Sequence, residues 1–266
     1  MLTLDILISV TNAKIVRIKE MLPEPQEGVR YIISYQYTDE KFLKLFPPVL
    51  ESYPDVRVIK TQGKGLSRSR NSALSLAQGD LVYFIDDDIC FLPHTIDIIR
   101  QTFEQHPESD ICLFQAQNYS GAPLRSYPSK PQQVTTFAQY INTLAYEMVC
   151  RRDKVQGIVR YDERFGLGSE QFHCYEQQVF LYDALRADLR IDYFAIPVIQ
   201  TSAIYKPLLI NRDHHIQQAM GGLLGYVYPY SAVPKAFHLA YIVSQRSKCS
   251  FFRLLFQLLK GIAKVK

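Results

Sequence analysis

The sequence predicts an α/β fold with a mostly parallel central sheet and helices on both of its faces. Strand-length apolar runs alternate with helical patterns through the first hundred residues, and such alternation implies parallel strands covered on both sides. Hydrophobic residues are 47% of the 266 and charged residues 21%, which supplies a real core and excludes disordered, collagen-like and coiled-coil chains. The five cysteines, Cys90, Cys112, Cys150, Cys174 and Cys249, form no CxxC pair. A disulfide scaffold is therefore not expected, and a reducing, cytoplasmic compartment is.

Each element has its own signal. Residues 4–10 are a short apolar run and predict the first strand; Asp5 and the lack of a basic lead argue against a secretory signal. Residues 13–22 are helical in pattern, and 30–37, rich in Tyr and Ile, predict the second strand. Residues 41–52 read as short helix around the Pro47-Pro48 break. A third strand is expected at 56–60, a helix at 66–78 and a fourth strand at 80–85. The pattern then loosens, with a helix at 94–106 and a strand at 110–118. Pro123, Pro128 and Pro131 make 119–134 a loop, before helices at 136–147 and 176–189 and a strand at 191–199. No repeat, low-complexity tract or linker interrupts the body.

Charge is unevenly placed. The net charge is +4, but no acidic residue follows Asp213, while Lys235, Arg246, Lys248, Arg253, Lys260, Lys264 and Lys266 do. Residues 1–213 hold 23 basic against 26 acidic residues, a net of −3. The basicity belongs to the tail, and no nucleic-acid partner is expected. No run of 18 uncharged apolar residues is present, so no membrane-spanning helix is expected.

The stretch from Lys64 to Asp88 reads KGLSRSRNSALSLAQGDLVYFIDDD. It holds a glycine turn, a basic helix start, a helix ending near Gly79 and an apolar strand running into Asp86, Asp87 and Asp88. Adjacent carboxylates repel, and a hard divalent cation such as Mg²⁺ or Mn²⁺ relieves that by binding one or two of them together with phosphate oxygens. Strand alternation would turn Asp86 and Asp88 to one side and Asp87 to the other. Arg68, Arg70 and Asn71, some residues earlier, add anion-seeking groups, and a nucleotide diphosphate needs both kinds. The plainer readings are a solvated acidic turn, with Lys64 and Arg70 as surface helix charges.

These residues resemble the signature of glycosyltransferase family 2. A second segment, YDERFGLG at 161–168 followed by CYEQQVFL at 174–181, is similar to the family's acceptor-side pattern, and EMVCRRDKV at 147–155 resembles the strand before it. The resemblance covers roughly residues 3–200. It implies a GT-A fold and transfer of a sugar, usually with inversion, from a nucleotide-sugar donor. Residues 1–213 would form that domain, with a nucleotide-sugar half at 1–100 and an acceptor half at 101–213, and 214–266 a basic helical region. By the same resemblance Thr11, Asn12, Lys64, Arg70, Asn71, Asp86 and Asp87 face the donor, and Asp86 and Asp88 hold the metal, with His214 as a late ligand.

Two positions depart from the family pattern. The second strand commonly ends in an aspartate that meets the nucleobase, whereas here it ends SYQYTD at 34–39, leaving Gln36 or Asp39 as the substitute. The acidic pair at the later helix reads Glu176-Gln177, so Glu176 serves as general base, with Glu170 as the competitor. Both also read as helix-start acids favoured by the macrodipole, and His214-His215 also reads as a surface pair.

Other functions fit less well. Gly63-Lys64-Gly65 is not GxGxxG, which argues against nicotinamide binding. A sugar-nucleotide pyrophosphorylase would carry a glycine- and arginine-rich loop where Thr11-Asn12-Ala13 stand. A non-catalytic donor-binding relative stays open because of Gln177. Tyr119, Tyr127, Tyr140, Tyr146 and Phe165 are candidates to stack on sugar rings, with core packing as the plain reading of each.

The tail predicts a helix at 251–266 with Arg253, Gln257, Lys260 and Lys264 as one polar stripe. Two surfaces suit it: the protein body or a second copy of the chain, or the anionic leaflet of the cytoplasmic membrane. The second would suit a glycan or lipid-linked glycan acceptor of surface polysaccharide synthesis.

Overall fold

The computed structural model describes residues 1–201, 210 and 213–265. The chain divides into two compact units. The first holds Met1–Lys64, Arg68–Arg160 and Asp183–Tyr205; the second holds Gly65–Ser67, Tyr161–Tyr182 and Lys206–Lys266.

In chain order the first unit opens with β1 (Leu4–Thr11), a 3₁₀ segment (Asn12–Arg17) and the single turn α1 (Ile18–Met21). β2 (Val29–Tyr37), α2 (Glu40–Leu43), a 3₁₀ turn (Pro48–Glu51) and β3 (Val56–Gln62) follow. Next come α3 (Leu66–Leu76), β4 (Leu81–Ile85), β5 (Ile89–Phe91), α4 (Thr95–Gln105) and β6 (Ile111–Asn118). The later elements are β7 (Gln132–Gln133), α5 (Phe137–Tyr140), β8 (Met148–Arg151), α6 (Arg152–Val155) and β9 (Ile191–Thr201), while α7 (Glu176–Arg186) starts among residues of the second unit and enters the first at Asp183.

One sheet runs β3-β2-β1-β4-β8-β6-β9-β5, with β7 also paired to β9. β3, β2, β1 and β4 are mutually parallel, as the alternating pattern requires. β8 runs antiparallel between β4 and β6, β6 is parallel to β9, and β5 and β7 are antiparallel to β9. The sheet is thus mixed beyond β4, where β8, β5 and β7 run against the direction shared by β4, β6 and β9. β1 and β4 are buried along both faces, which is why LDILISV and LVYFI are near-continuous apolar runs.

Asp5 is the buried exception in β1. Its carboxylate accepts from Arg30 Nε at 2.9 Å, Arg30 Nη2 at 3.0 Å, Gln78 N at 2.6 Å and Gly79 N at 2.8 Å. Four donors compensate the lost hydration and fix the turn that feeds β4. A Cβ at Gly79 would lie 3.0 Å from the Asp5 backbone nitrogen and carboxylate, so this turn needs a glycine.

Three expectations change. The helix at 136–147 is broken into α5 and a 3₁₀ turn (Ala145–Glu147). The Glu147 carboxylate is wholly buried, receives Arg125, the Tyr127 hydroxyl and Leu144 N, and holds the chain in a turn that a continuous helix could not make. The helix at 13–22 is mostly 3₁₀. β5 and the two-residue β7 were too short to register as apolar periodicity. Pro197 lies within β9 at the site where its register with β6 shifts, the place a strand proline is tolerated.

The second unit contains α8 (His214–Val227), α9 (Ala232–Arg246) and α10 (Phe251–Val265). Leu224, Ala232, Ala236, Ala240, Leu254, Leu255, Leu258 and Ile262 form their common core. α8 and α10 approach at backbone distance through glycines: a Cβ at Gly261 would overlap the Gln218 carbonyl oxygen, and one at Gly221 the Leu258 carbonyl oxygen. Gly261→Ala is therefore expected to lower unfolding free energy by about 1–3 kcal/mol or more through overpacking. Chemical denaturation measures it, and an unchanged midpoint would mean the two helices are not in close contact.

Candidate functional site

In open α/β sheets ligands bind beyond the carboxyl ends of strands where the winding direction reverses. Here that point lies between β1 and β4, since the chain winds from β1 through β2 to β3 and then returns to β4 on the other side. Ile8 pairs with Ile85, so the residues after β1 and the aspartates after β4 share one edge. Alternation ends at Ile85, and 86–88 form a turn into β5. The facing of the three carboxylates is accordingly set by that turn and not by strand pleat.

The turn's three charges are unequally met. Arg70, almost wholly buried, places Nη2 3.0 Å from Asp86 Oδ1. Lys14 places Nζ 2.7 Å from Asp87 Oδ1. Its hydrogen bond to Asp87, with the charges of all three aspartates adding to it, holds the Lys14 ammonium above its ordinary pKa. Asp88 forms no ion pair among the described residues. Desolvation first, then the neighbouring Asp86 and Asp87, raise its pKa above the usual carboxylate value. Two cations against three carboxylates leave a local excess of negative charge at Asp88, a hard-oxygen donor set suited to Mg²⁺ or Mn²⁺. No group of three or more His, Cys, Asp or Glu side chains is assembled for a metal among the described residues.

The other donor-side residues take different places. Asn12, at φ +50°, accepts through Oδ1 from Thr38 N at 2.9 Å and Thr38 Oγ1 at 3.2 Å, tying the end of β1 to that of β2. Thr11 is exposed at the strand end. Asp39 caps α2, accepting from Lys41 N at 2.9 Å. Gln36 is buried in β2 with its Oε1 unpaired. Lys64 is exposed between Gly63 and Gly65, which have φ of +120° and +142°. Asn71 lines a cleft of about 540 Å³ with Leu74, Ser75, Gln156 and Gly157, whose walls include none of the aspartates.

The second unit holds the acceptor-side residues. Glu176 opens α7 and is half-buried. A Cβ on Gly166, which has φ of +105°, would lie 3.3 Å from the Glu176 side chain and 2.9 Å from Ser67 Oγ, so only glycine fits the FG step of the motif. Ser67 donates to the Phe165 carbonyl at 2.5 Å, and Leu66 N to the Leu167 carbonyl at 2.9 Å. Gln177 is buried and accepts from the Tyr161 hydroxyl at 2.9 Å. A neutral amide suits that contact. Glu170 is exposed in the preceding loop. Cys174 has its thiol pushed up by burial and by the charges of Glu176 and Asp213. His214 follows the Asp213 cap of α8, its ring 4.1 Å from that of His215, which stacks 5.0 Å from His173.

Of the aromatic candidates, Tyr140, Tyr146 and Phe165 are buried core residues. Tyr127 donates to Glu147, so it too has a structural role. Tyr119 alone of the five is exposed, its hydroxyl 3.4 Å from Cys90 Sγ. Sequence reasoning passed over Lys14, although a cation just after β1 is where a parallel sheet would bring a counter-charge to β4.

Comparison with known proteins bears on the fold. The profile described as "Glycosyl transferase family 2" matches residues 34–161. A Haemophilus influenzae protein described as "Uncharacterized glycosyltransferase" is 28% identical over 88 residues, which is 32% of this chain and 30% of that protein's length. Among solved structures, Staphylococcus aureus TarS 1–349 superposes with a TM-score of 0.57 at 16% identity, covering 90% of this chain and 69% of that one. The same protein in complex with UDP-GlcNAc gives a TM-score of 0.57 at 16% identity, covering 90% and 71%, and with UDP 0.56 at 17%, covering 93% and 72%. At that identity the likeness is one of fold.

The unbalanced triplet has a consequence for stability. A carboxylate whose folded pKa is raised costs stability at all pH values above that pKa, and the cost vanishes below its unfolded value. Asp88→Asn should therefore raise the melting temperature of the metal-free protein at neutral pH, and the gain should shrink as pH falls through the raised Asp88 pKa towards the ordinary one. A variant less stable than wild type at neutral pH would show that Asp88 is already compensated.

Proposed function

We propose that this chain belongs to glycosyltransferase family 2 and is a metal-dependent, inverting glycosyltransferase acting on a nucleotide-sugar donor. The observation that carries the proposal is the Asp88 carboxylate, without an ion-pair partner among the described residues at the winding reversal of the sheet, beside two aspartates that do have them. The GT-A-type fold and the TarS complexes support a nucleotide-sugar, with UDP-sugars as the first donors to try.

Asp88 and Asp86 would hold Mg²⁺ or Mn²⁺, which when bound neutralises charge on the departing diphosphate as a Lewis acid. Arg70 and Lys14 hold Asp86 and Asp87 in place, and Lys64 is an exposed cation for phosphate oxygens. Gln36 is assigned to the base, for its unpaired buried oxygen. Glu176 is assigned as general base: it takes the proton of the acceptor hydroxyl as that oxygen bonds to the anomeric carbon, opposite the leaving diphosphate. Gln177 cannot replace it, being an amide committed to Tyr161. Glu170 remains the competitor, and His214 a late metal ligand.

The acceptor is assigned as a glycan or lipid-linked glycan of surface polysaccharide synthesis, met at the cytoplasmic face of the membrane. No helix among the described residues is long and apolar enough to cross a membrane. A pyrophosphorylase is disfavoured, because the segment after β1 is the 3₁₀ turn from Asn12 and no glycine-rich loop.

Two substitutions test the roles. Asp88→Ala should abolish sugar transfer with the fold retained, and full activity of that variant or in a chelator would remove the metal from the mechanism. Glu176→Gln should leave donor binding nearly intact and lower turnover about 10²–10⁴-fold, the usual share of a positioned base. That pattern at Glu170 instead would move the base. Donor binding without turnover on any acceptor or on water would favour a non-catalytic binder.

A further inference from the structure

The tail helix does not present to solvent the face its sequence suggests. Leu254, Leu255, Leu258 and Ile262 of α10 are buried against α8 and α9. Two members of its polar stripe are engaged as well: Gln257 accepts from Gln218 at 2.7 Å, and Lys264 donates to Gln218 at 2.8 Å. What faces outward is a different set. Phe252 is 80% exposed and Phe256 63%, one helical turn apart. On α9, Val233, Phe237 and Tyr241 repeat the same spacing and are 46%, 47% and 59% exposed.

The two rows are joined. Phe237 meets the Phe251 ring at 6.2 Å, and Phe251 meets Phe252 edge-on at 5.3 Å. The rings thus run from α9 to α10 within the second unit. Scattered exposed apolar side chains are ordinary, whereas a joined set of five on adjoining helices marks an interaction surface. Its charge selects the occupant. Arg253, Lys260 and Lys264 are exposed on α10, and Lys248 lies in the connection from α9. No acidic residue occurs anywhere in 214–266.

We infer that this α9–α10 surface docks on an anionic lipid bilayer. The aromatic rings enter the headgroup region, where an apolar body with a wet rim is favoured, and the flanking cations meet lipid phosphates. A second copy of the same face fits worse, because a two-fold interface is self-complementary and would set these cations against one another. This inference stands on the surface alone and does not depend on the donor chemistry.

The test uses the full chain with two kinds of vesicle, phosphatidylcholine alone and equimolar phosphatidylcholine and phosphatidylglycerol, in co-sedimentation at low and high salt. Binding is expected only to the anionic vesicles and to weaken with salt. Arg253→Gln with Lys260→Gln should lower the partition coefficient roughly fivefold per residue removed. Phe252→Ser with Phe256→Ser should lower it at least about tenfold with an unchanged melting temperature, since both rings are exposed. Equal recovery of wild type and the Phe variant, or equal binding to neutral vesicles, overturns the inference. So does a wild-type dimer in vesicle-free sedimentation that the Phe variant dissociates, with no vesicle binding by either. Donor binding measured without vesicles reports separately on the proposed transferase chemistry.

Discussion

A strand buried on both faces that ends in three adjacent carboxylates cannot be left without compensation. β4 delivers Asp86, Asp87 and Asp88 to the edge where the sheet's winding reverses, and the neighbouring elements answer two of the three charges. Arg70 reaches Asp86 from α3, and Lys14 reaches Asp87 from the turn after β1. The third, at Asp88, has no ion-pair partner among the described residues. Much of the first unit can be understood as scaffolding for that imbalance: Asp5 fixes the turn before β4 with four hydrogen bonds, and Asn12 ties the ends of β1 and β2 together. A self-repelling cluster lowers stability, and its retention at a strand end is the expected trade of stability for binding.

The parts legible in the sequence share one property: their signal is local. Strands buried on both faces are apolar runs, so β1 and β4 could be placed within a residue or two, and the GLSRSRN and DDD segments stand on either side of one helix and one strand. What escaped was long-range. Lys14 and Asp87 are 73 residues apart, and only the parallel pairing of β1 with β4 makes them neighbours. The break in the helix expected at 136–147 likewise comes from Arg125 and Tyr127, some twenty residues upstream, closing on a buried Glu147.

The tail shows the same limit from the other side. Its periodicity marks α10 as amphipathic, but a pattern cannot tell which partner the apolar face has. The face centred on Leu254, Leu258 and Ile262 is used by α8 and α9, and Gly221 and Gly261 permit that closeness. The residues left outside, Phe252 and Phe256 among them, break the apolar–polar division expected of a helix whose packing is complete.

Titration of Mn²⁺ followed by electron paramagnetic resonance, with and without UDP, on wild type and Asp88→Asn addresses the triplet most directly. Wild type is expected to bind one Mn²⁺ more tightly in the presence of the nucleotide, and Asp88→Asn to lose that enhancement. Equal Mn²⁺ binding by the two proteins in the presence of UDP would contradict a cation site at Asp88.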